Sequence, residues 1–240
     1  MAQDRIYSVP LHRVGEFEFD DSVADVFPDM IRRSVPGYSS MLSMIAQCAE
    51  RFVKPGTDVF DLGCSLGAGT LLIRANADPA CRIHAVDSSE AMIKRLTDIL
   101  NEQPGSTEVQ THLADIRDVN VDNASLVVLN LTLQFLPVAD RTAFMQTVAK
   151  GVLPGGALLL SEKICFEDEL QQNLMTELHH DFKRAHGYSD LEIAQKRTAI
   201  ENQLVPETME QHVDRLKQIG FRTVAPWFQC FNFASILAVK

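Results

Sequence analysis

Val59-Phe60-Asp61-Leu62-Gly63-Cys64-Ser65-Leu66-Gly67-Ala68-Gly69-Thr70 is an apolar run that ends in an acid and then breaks into three glycines. That composition fits a strand feeding a tight turn and then a helix. Glycine lets the backbone approach a ligand closely, because a Cβ would exclude either the strained dihedrals or the ligand, and the following helix offers unpaired N–H groups. An ordinary strand-to-helix turn would share this composition, so the spacing matters. A dinucleotide fingerprint reads G-x-G-x-x-G. Here the run is G-x-x-x-G-x-G, with Asp61 two residues ahead of the first glycine.

Upstream, residues 1–40 mix acids and aromatics and then give Phe27-Pro28-Asp29-Met30 and Ser34-Val35-Pro36-Gly37-Tyr38. The two prolines limit any helix there to short pieces; such a segment can lie across a site as a lid or pack as a surface arm. From Ser39, read as an N-cap, apolar residues fall at helical spacing to Phe52, and Pro55-Gly56 ends the helix.

Downstream, a helix over 68–75 leads to a strand over 82–86 that ends in Asp87. An acid at the end of the second strand, ~20 residues past the glycine turn, is where a doubly wound sheet holds ribose hydroxyls, although such acids also cap helices. Ser88 and Ser89 start a helix over 91–100. A third strand over 109–113 leads into Ala114-Asp115-Ile116; in this fold class an acid with an apolar neighbour there commonly faces an adenine, the carboxylate taking its amine and the aliphatic chain covering the ring, and helix capping is the other use of Asp115. The strand over 125–129 is almost wholly apolar and delivers Asn130 to the carboxyl end of the sheet, where such folds keep their ligands.

A helix over 140–152, the turn Leu153-Pro154-Gly155-Gly156-Ala157 and a strand over 158–161 follow. The polar, helical stretch 167–210 is longer than one crossover needs and reads as an insertion. Its His179-His180-Asp181 raises a metal site, but adjacent helical residues point apart, so packing or capping is the better reading and no metal is expected. Lys183, Arg184, Lys196 and Arg197 would ordinarily be a solvated face; in so acidic a chain they are the place to hold an anionic substrate. A helix over 207–219 and strands over 222–228 and 234–239, the last two an antiparallel pair, complete the chain.

The fold class is therefore α/β: a doubly wound, mostly parallel seven-stranded sheet with an antiparallel last strand and a helical insertion. We expect one domain over 1–240, with an N-terminal lid segment 1–55 and the insertion 167–210. A hydrophobic content of 46% with 22% charged residues is that of a soluble globular protein, and a net charge of −10 argues against gripping a phosphate backbone. Five scattered cysteines without a C-x-x-C pair suggest neither disulfides nor zinc. No charged-then-apolar leader and no membrane span is visible, so the expected location is cytoplasmic.

The glycine loop resembles the nucleotide loop of class I S-adenosylmethionine (SAM) enzymes, with Ser65 where a central glycine usually stands. The motifs Phe27-Pro28-Asp29-Met30, Ser34-Val35-Pro36-Gly37-Tyr38, Val128-Leu129-Asn130, Leu160-Ser161-Glu162-Lys163, His180-Asp181-Phe182-Lys183-Arg184-Ala185, Gln195-Lys196-Arg197 and Trp227-Phe228-Gln229-Cys230-Phe231-Asn232-Phe233, in this order, resemble the carboxy-S-adenosyl-L-methionine synthases over nearly the whole chain. The resemblance implies conversion of SAM and prephenate to carboxy-SAM and phenylpyruvate. A partner enzyme would then use the carboxymethyl group on a tRNA wobble uridine, without direct tRNA binding by this chain. It implies a homodimer in which Arg197 of the neighbouring subunit anchors the new carboxylate, since an arginine fork gives two parallel charge-assisted hydrogen bonds. It also implies ligand contacts from Tyr38, Gly63, Cys64, Ser65, Asp87, Ser88, Asp115, Ile116 and Asn130; relatives often carry asparagine in place of Ser88. An ordinary methyltransferase of a small anion, or a silent SAM-binding subunit, would share the loop and both acids.

Overall fold

The computed structural model describes residues 2–240. Two helices, α1 (Asp21–Ser34) and α2 (Tyr38–Phe52), precede an alternating series: β1 (Asp58–Leu62), α3 (Ala68–Asn76), β2 (Arg82–Asp87), α4 (Glu90–Glu102), β3 (Glu108–Leu113), β4 (Ala124–Asn130), α5 (Val138–Gly151) and β5 (Val152–Cys165). Then come α6 (Glu169–Ala185), α7 (Asp190–Ile200), the two-residue β6 (Glu207–Thr208), α8 (Met209–Gln218), β7 (Thr223–Cys230) and β8 (Phe233–Val239). The sheet runs β3-β2-β1-β4-β5-β8-β7, with β6 beside β5 off this path. β8 alone reverses direction on that path, antiparallel to both β5 and β7. Strand order switches between β1 and β4, which opens a crevice at their carboxyl ends.

β4 shows why the sheet must be covered on both sides. Val127 and Leu129 join a core with Met145 and Val148 of α5 and Leu216 of α8. The alternate residues Leu126 and Val128 join the opposite core with Ile45 and Ala49 of α2 and Ile73 of α3. A strand buried on both faces reads as continuous apolar sequence because its side chains alternate between two interiors.

Three expectations are corrected. The prolines do not confine the N-terminal region to short pieces: α1 is a 14-residue helix with Pro28 inside it. Asp20 caps it by accepting from Val23 N at 2.9 Å, Val23, Ala24 and Met30 bury one face, and Arg95 of α4 ties down Asp21 and Asp25. Tertiary packing outweighs the one backbone bond that proline removes. The cap of α2 is Gly37, at φ 74°, rather than Ser39. A Cβ at Gly37 would lie 2.2 Å from Phe228 Cζ, so both turn and packing call for glycine. Finally, the insertion is not wholly helical, since its last residues pair as β6 with Ile164 and Cys165. No helix among the described residues is long and apolar enough to cross a membrane.

Candidate active site

A cavity of about 760 Å³ lies over the carboxyl ends of β1, β2, β4 and β5. Its floor is the glycine loop. Gly63 N and Cys64 N donate to the Val86 carbonyl at 2.8 and 2.9 Å, and Gly67 N donates to Cys64 O at 2.8 Å, folding the loop against β2. Gly63 sits at φ 85°, and a Cβ there would meet Thr132 Oγ1 at 2.2 Å. Ser65, in place of a central glycine, takes the left-handed region at φ 50°. Its N–H donates to Asp87 Oδ2 at 2.8 Å, while Ser89 N donates to Asp87 Oδ1 at 2.9 Å. One carboxylate thus joins the loop to the start of α4, and each oxygen keeps a lone pair for a hydroxyl. Burial raises the Asp87 pKa against those backbone donors. Ser88, exposed, lines the cavity beside it.

Asp115 and Ile116 line the adjoining wall. Asp115 caps a short 3-10 turn (Ile116–Asp118) through a bond from Arg117 N, and Arg117 also grips both carboxylate oxygens. Those side-chain bonds hold its pKa below the usual carboxylate range. Asn130, at the tip of β4, also lines the cavity, and its Oδ1 is buried with no hydrogen-bond partner among the described residues. Leu131 follows at φ 65°, an uncommon conformation for a bulky side chain, held by its N–H to the Ser161 carbonyl at 2.7 Å. Beneath it the buried Glu162 accepts backbone N–H bonds from Thr132, Leu133 and Gln134 at 3.2, 2.9 and 2.9 Å, which fixes the turn after β4. Burial still pushes the Glu162 carboxyl up to about 8.

The roof comes from α1, α2, α6 and α7. Tyr38 opens α2 and lines the cavity, its phenol pushed up to about 12 by burial. Gln195-Lys196-Arg197 of α7 divide three tasks. Gln195 pins the N-terminal arm, donating to the Tyr7 and Val9 carbonyls and accepting from Leu11 N. Lys196 Nζ donates to Ser34 Oγ at 3.1 Å and lies 3.8 Å from Asp4. Arg197 lines the cavity of its own chain, with its side chain 64% exposed and Nε 3.7 Å from Glu201.

Tyr38, Gly63, Cys64, Ser65, Asp87, Ser88, Asp115, Ile116 and Asn130 therefore border one cavity, and Arg197, expected from a neighbouring subunit, borders the cavity of its own chain. Arg184 does not: it turns to Asp181 and Asp190, and Lys163 of β5 lines the cavity with Lys183 instead. Asp61 is a second residue missed as a cavity group. It is 2% exposed, accepts from Thr70 Oγ1 at 2.7 Å, and burial lifts its pKa to about 6. Its acid-x-glycine position was the available signal. His179 Nε2 lies 2.8 Å from the Ser34 carbonyl and so donates to it; burial pushes this ring down to about 2. Among the described residues no group of three or more His, Cys, Asp or Glu is arranged to hold a metal.

The family model described as a methyltransferase domain matches residues 59–156. The carboxy-S-adenosyl-L-methionine synthase of Aliivibrio fischeri is 53% identical over 238 residues, 99% of this chain and 98% of that protein. The chain belongs to the carboxy-S-adenosyl-L-methionine synthase family. The Klebsiella pneumoniae synthase gives the same 53% over 239 residues, 99% of this chain and 97% of that one. In fold, the synthase chain resembles an O-methyltransferase family protein from Burkholderia thailandensis with a TM-score of 0.64, at 17% identity over 92% of this chain and 60% of that one. A carboxy-SAM synthase is an enzyme, a transferase of the methyltransferase-like class, with SAM as substrate and carboxy-SAM as product. This cavity fits such a molecule: a glycine cradle that a Cβ would fill, a carboxylate with spare lone pairs at Asp87, and an unpaired acceptor at Asn130.

Proposed function

We propose that this carboxy-SAM synthase takes prephenate as its carboxyl donor and releases phenylpyruvate, supplying the carboxymethyl donor for a tRNA wobble-uridine enzyme. The observation that carries this reading is the cavity's two sets of charges. Glycines and the carboxylates Asp61, Asp87 and Asp115 line it from the ends of β1, β2 and β3, while Lys163, Lys183 and Arg197 line it from β5, α6 and α7. A cationic sulfonium ligand suits the first set and an anionic donor the second.

In this reading Asp87 holds the ribose hydroxyls with Ser88 beside it, Asp115 and Ile116 receive adenine, and Gly63, Cys64 and Ser65 cradle the ligand backbone. Asn130 and Tyr38 border the sulfonium end. Loss of carbon dioxide from prephenate breaks the ring-to-carboxyl bond, aromatises the ring and expels hydroxide. The methyl group of SAM gives up one proton and gains the carbon dioxide, so proton and hydroxide leave as water. The cavity's share is to keep the two reactants adjacent and exclude water, and the N-terminal segment 1–55, with α1 and α2, serves as its lid. Arg197 anchors the new carboxylate bidentately, from the neighbouring subunit of a homodimer. The enzyme acts in the cytoplasm, and its net charge of −10 suits a protein that leaves tRNA to its partner.

Incubation with SAM and prephenate, followed by mass spectrometry, is expected to give carboxy-SAM and phenylpyruvate in equal amounts. Conversion of SAM to S-adenosylhomocysteine would instead show methyl transfer, and no turnover a silent binding subunit. The folded Arg197→Ala variant is expected to lose carboxy-SAM formation at unchanged melting temperature; retained synthesis would remove that role.

A further inference from the structure

Lys163 and Lys183 enter the cavity from different elements, β5 and α6, and both are half-buried. No ion pair joins either of them to a carboxylate among the described residues, whereas Lys196 has Asp4 and Arg197 has Glu201. Desolvated ammonium groups without counter-ions are costly, and placing two of them against the same space adds repulsion. Among the described residues no carboxylate pairs with them. Beside them Asn232 lines the same cavity, and its Oδ1 is buried without a partner among the described residues.

We infer that Lys163 and Lys183 form the subsite for the second carboxylate of the co-substrate, the one that is not transferred, so that the synthase selects dicarboxylates over monocarboxylate donors. This rests on the proposed reading and goes further by dividing the two anionic groups: Arg197 meets the carboxylate delivered to SAM, and the lysine pair holds the carboxylate that leaves with phenylpyruvate. Specificity follows from the cost of leaving the pair unmatched when a single-carboxylate donor binds.

The electrostatics support this geometry. Lys183 is brought down to about 7 by burial first, then by the charges of Lys196, Lys163 and Arg197. Lys163 is lowered by burial and by Arg197. The imidazoles on α6 add no carboxylate: His179 stays neutral, and His180 is lowered by burial and by Lys183. Arg32 of α1 and Glu201 of α7 border the cavity as well. An anion seated between the two lysines favours their charged forms, so binding near pH 8 takes up protons, and affinity falls as the pH rises above about 7.

The test uses Lys163→Met and Lys183→Met, which keep chain length and remove charge. Both are expected to raise the KM for prephenate by about tenfold or more, since bonds to charged groups are the strong ones, while leaving the SAM dissociation constant within about twofold. Unchanged KM in folded variants would overturn the assignment. Should a variant not fold, calorimetry on the wild-type enzyme decides: phenylpyruvate binding at pH 8, in two buffers of different ionisation enthalpy, is expected to show net proton uptake, and zero uptake would overturn it. A wild-type enzyme that makes no carboxy-SAM from prephenate would count against the proposed function alone, because the phenylpyruvate titration still tests the lysine pair.

Discussion

Asp87 uses one side chain for two structural bonds, to Ser65 N and Ser89 N, and keeps lone pairs directed at the cavity. Asparagine there would place a donor against one of those N–H groups and remove the charge. We expect Asp87→Asn to weaken SAM binding by about tenfold or more, because charge-assisted bonds are worth ~1.5–3 kcal/mol. Equilibrium binding measures it; an unchanged constant would show that the ribose is held elsewhere. The position of Asp87 was legible from sequence because strand end and glycine turn together fix it in a doubly wound sheet. Asp115 was legible in position, but not its grip by Arg117, which depends on how a short 3-10 turn folds back. Lys163 stood in the motif Leu160-Ser161-Glu162-Lys163 with nothing to give it a site role. It became a cavity residue only because β5 extends to Cys165, beyond the 158–161 expected.

At the scale of elements, α6 and the end of α1 meet at His179, whose Nε2–H donates to the Ser34 carbonyl. Burial pushes its folded pKa to about 2, far below the ordinary value of 6.5. In the unfolded chain this ring protonates below 6.5 while the folded chain refuses the proton, so stability falls as pH drops through that window. The loss is ~1.4 kcal/mol per pH unit for one such group. His212, also pushed down by burial to about 4, adds to it over part of the range. Denaturant melts between pH 7.5 and 5 are expected to show this decline, shallower in His179→Gln; identical slopes would show that the ring is charged when folded. α1 itself illustrates what sequence withholds. Pro28 argues locally against a long helix, and the ion pairs of Arg95 with Asp21 and Asp25 that help hold it span some 70 residues of chain.

Across the whole molecule, the alternation of strands and helices was legible because buried parallel strands are continuously apolar, and the antiparallel β8 followed from its short connection. Where Arg197 acts is a question of assembly. It lines its own chain's cavity, with its side chain 64% exposed. Mixing Arg197→Ala with Asp87→Asn subunits, at a SAM concentration that leaves the latter empty, separates the cases. Donation across a dimer restores activity to roughly a quarter of wild type, because half of randomly paired dimers hold one complete site. Donation within a chain restores none.

Prephenate carrying carbon-13 in its ring carboxyl, turned over with unlabelled SAM, tests the central claim most directly. The account requires that the label appear in carboxy-SAM and be absent from phenylpyruvate. Unlabelled carboxy-SAM, or S-adenosylhomocysteine in its place, would contradict it.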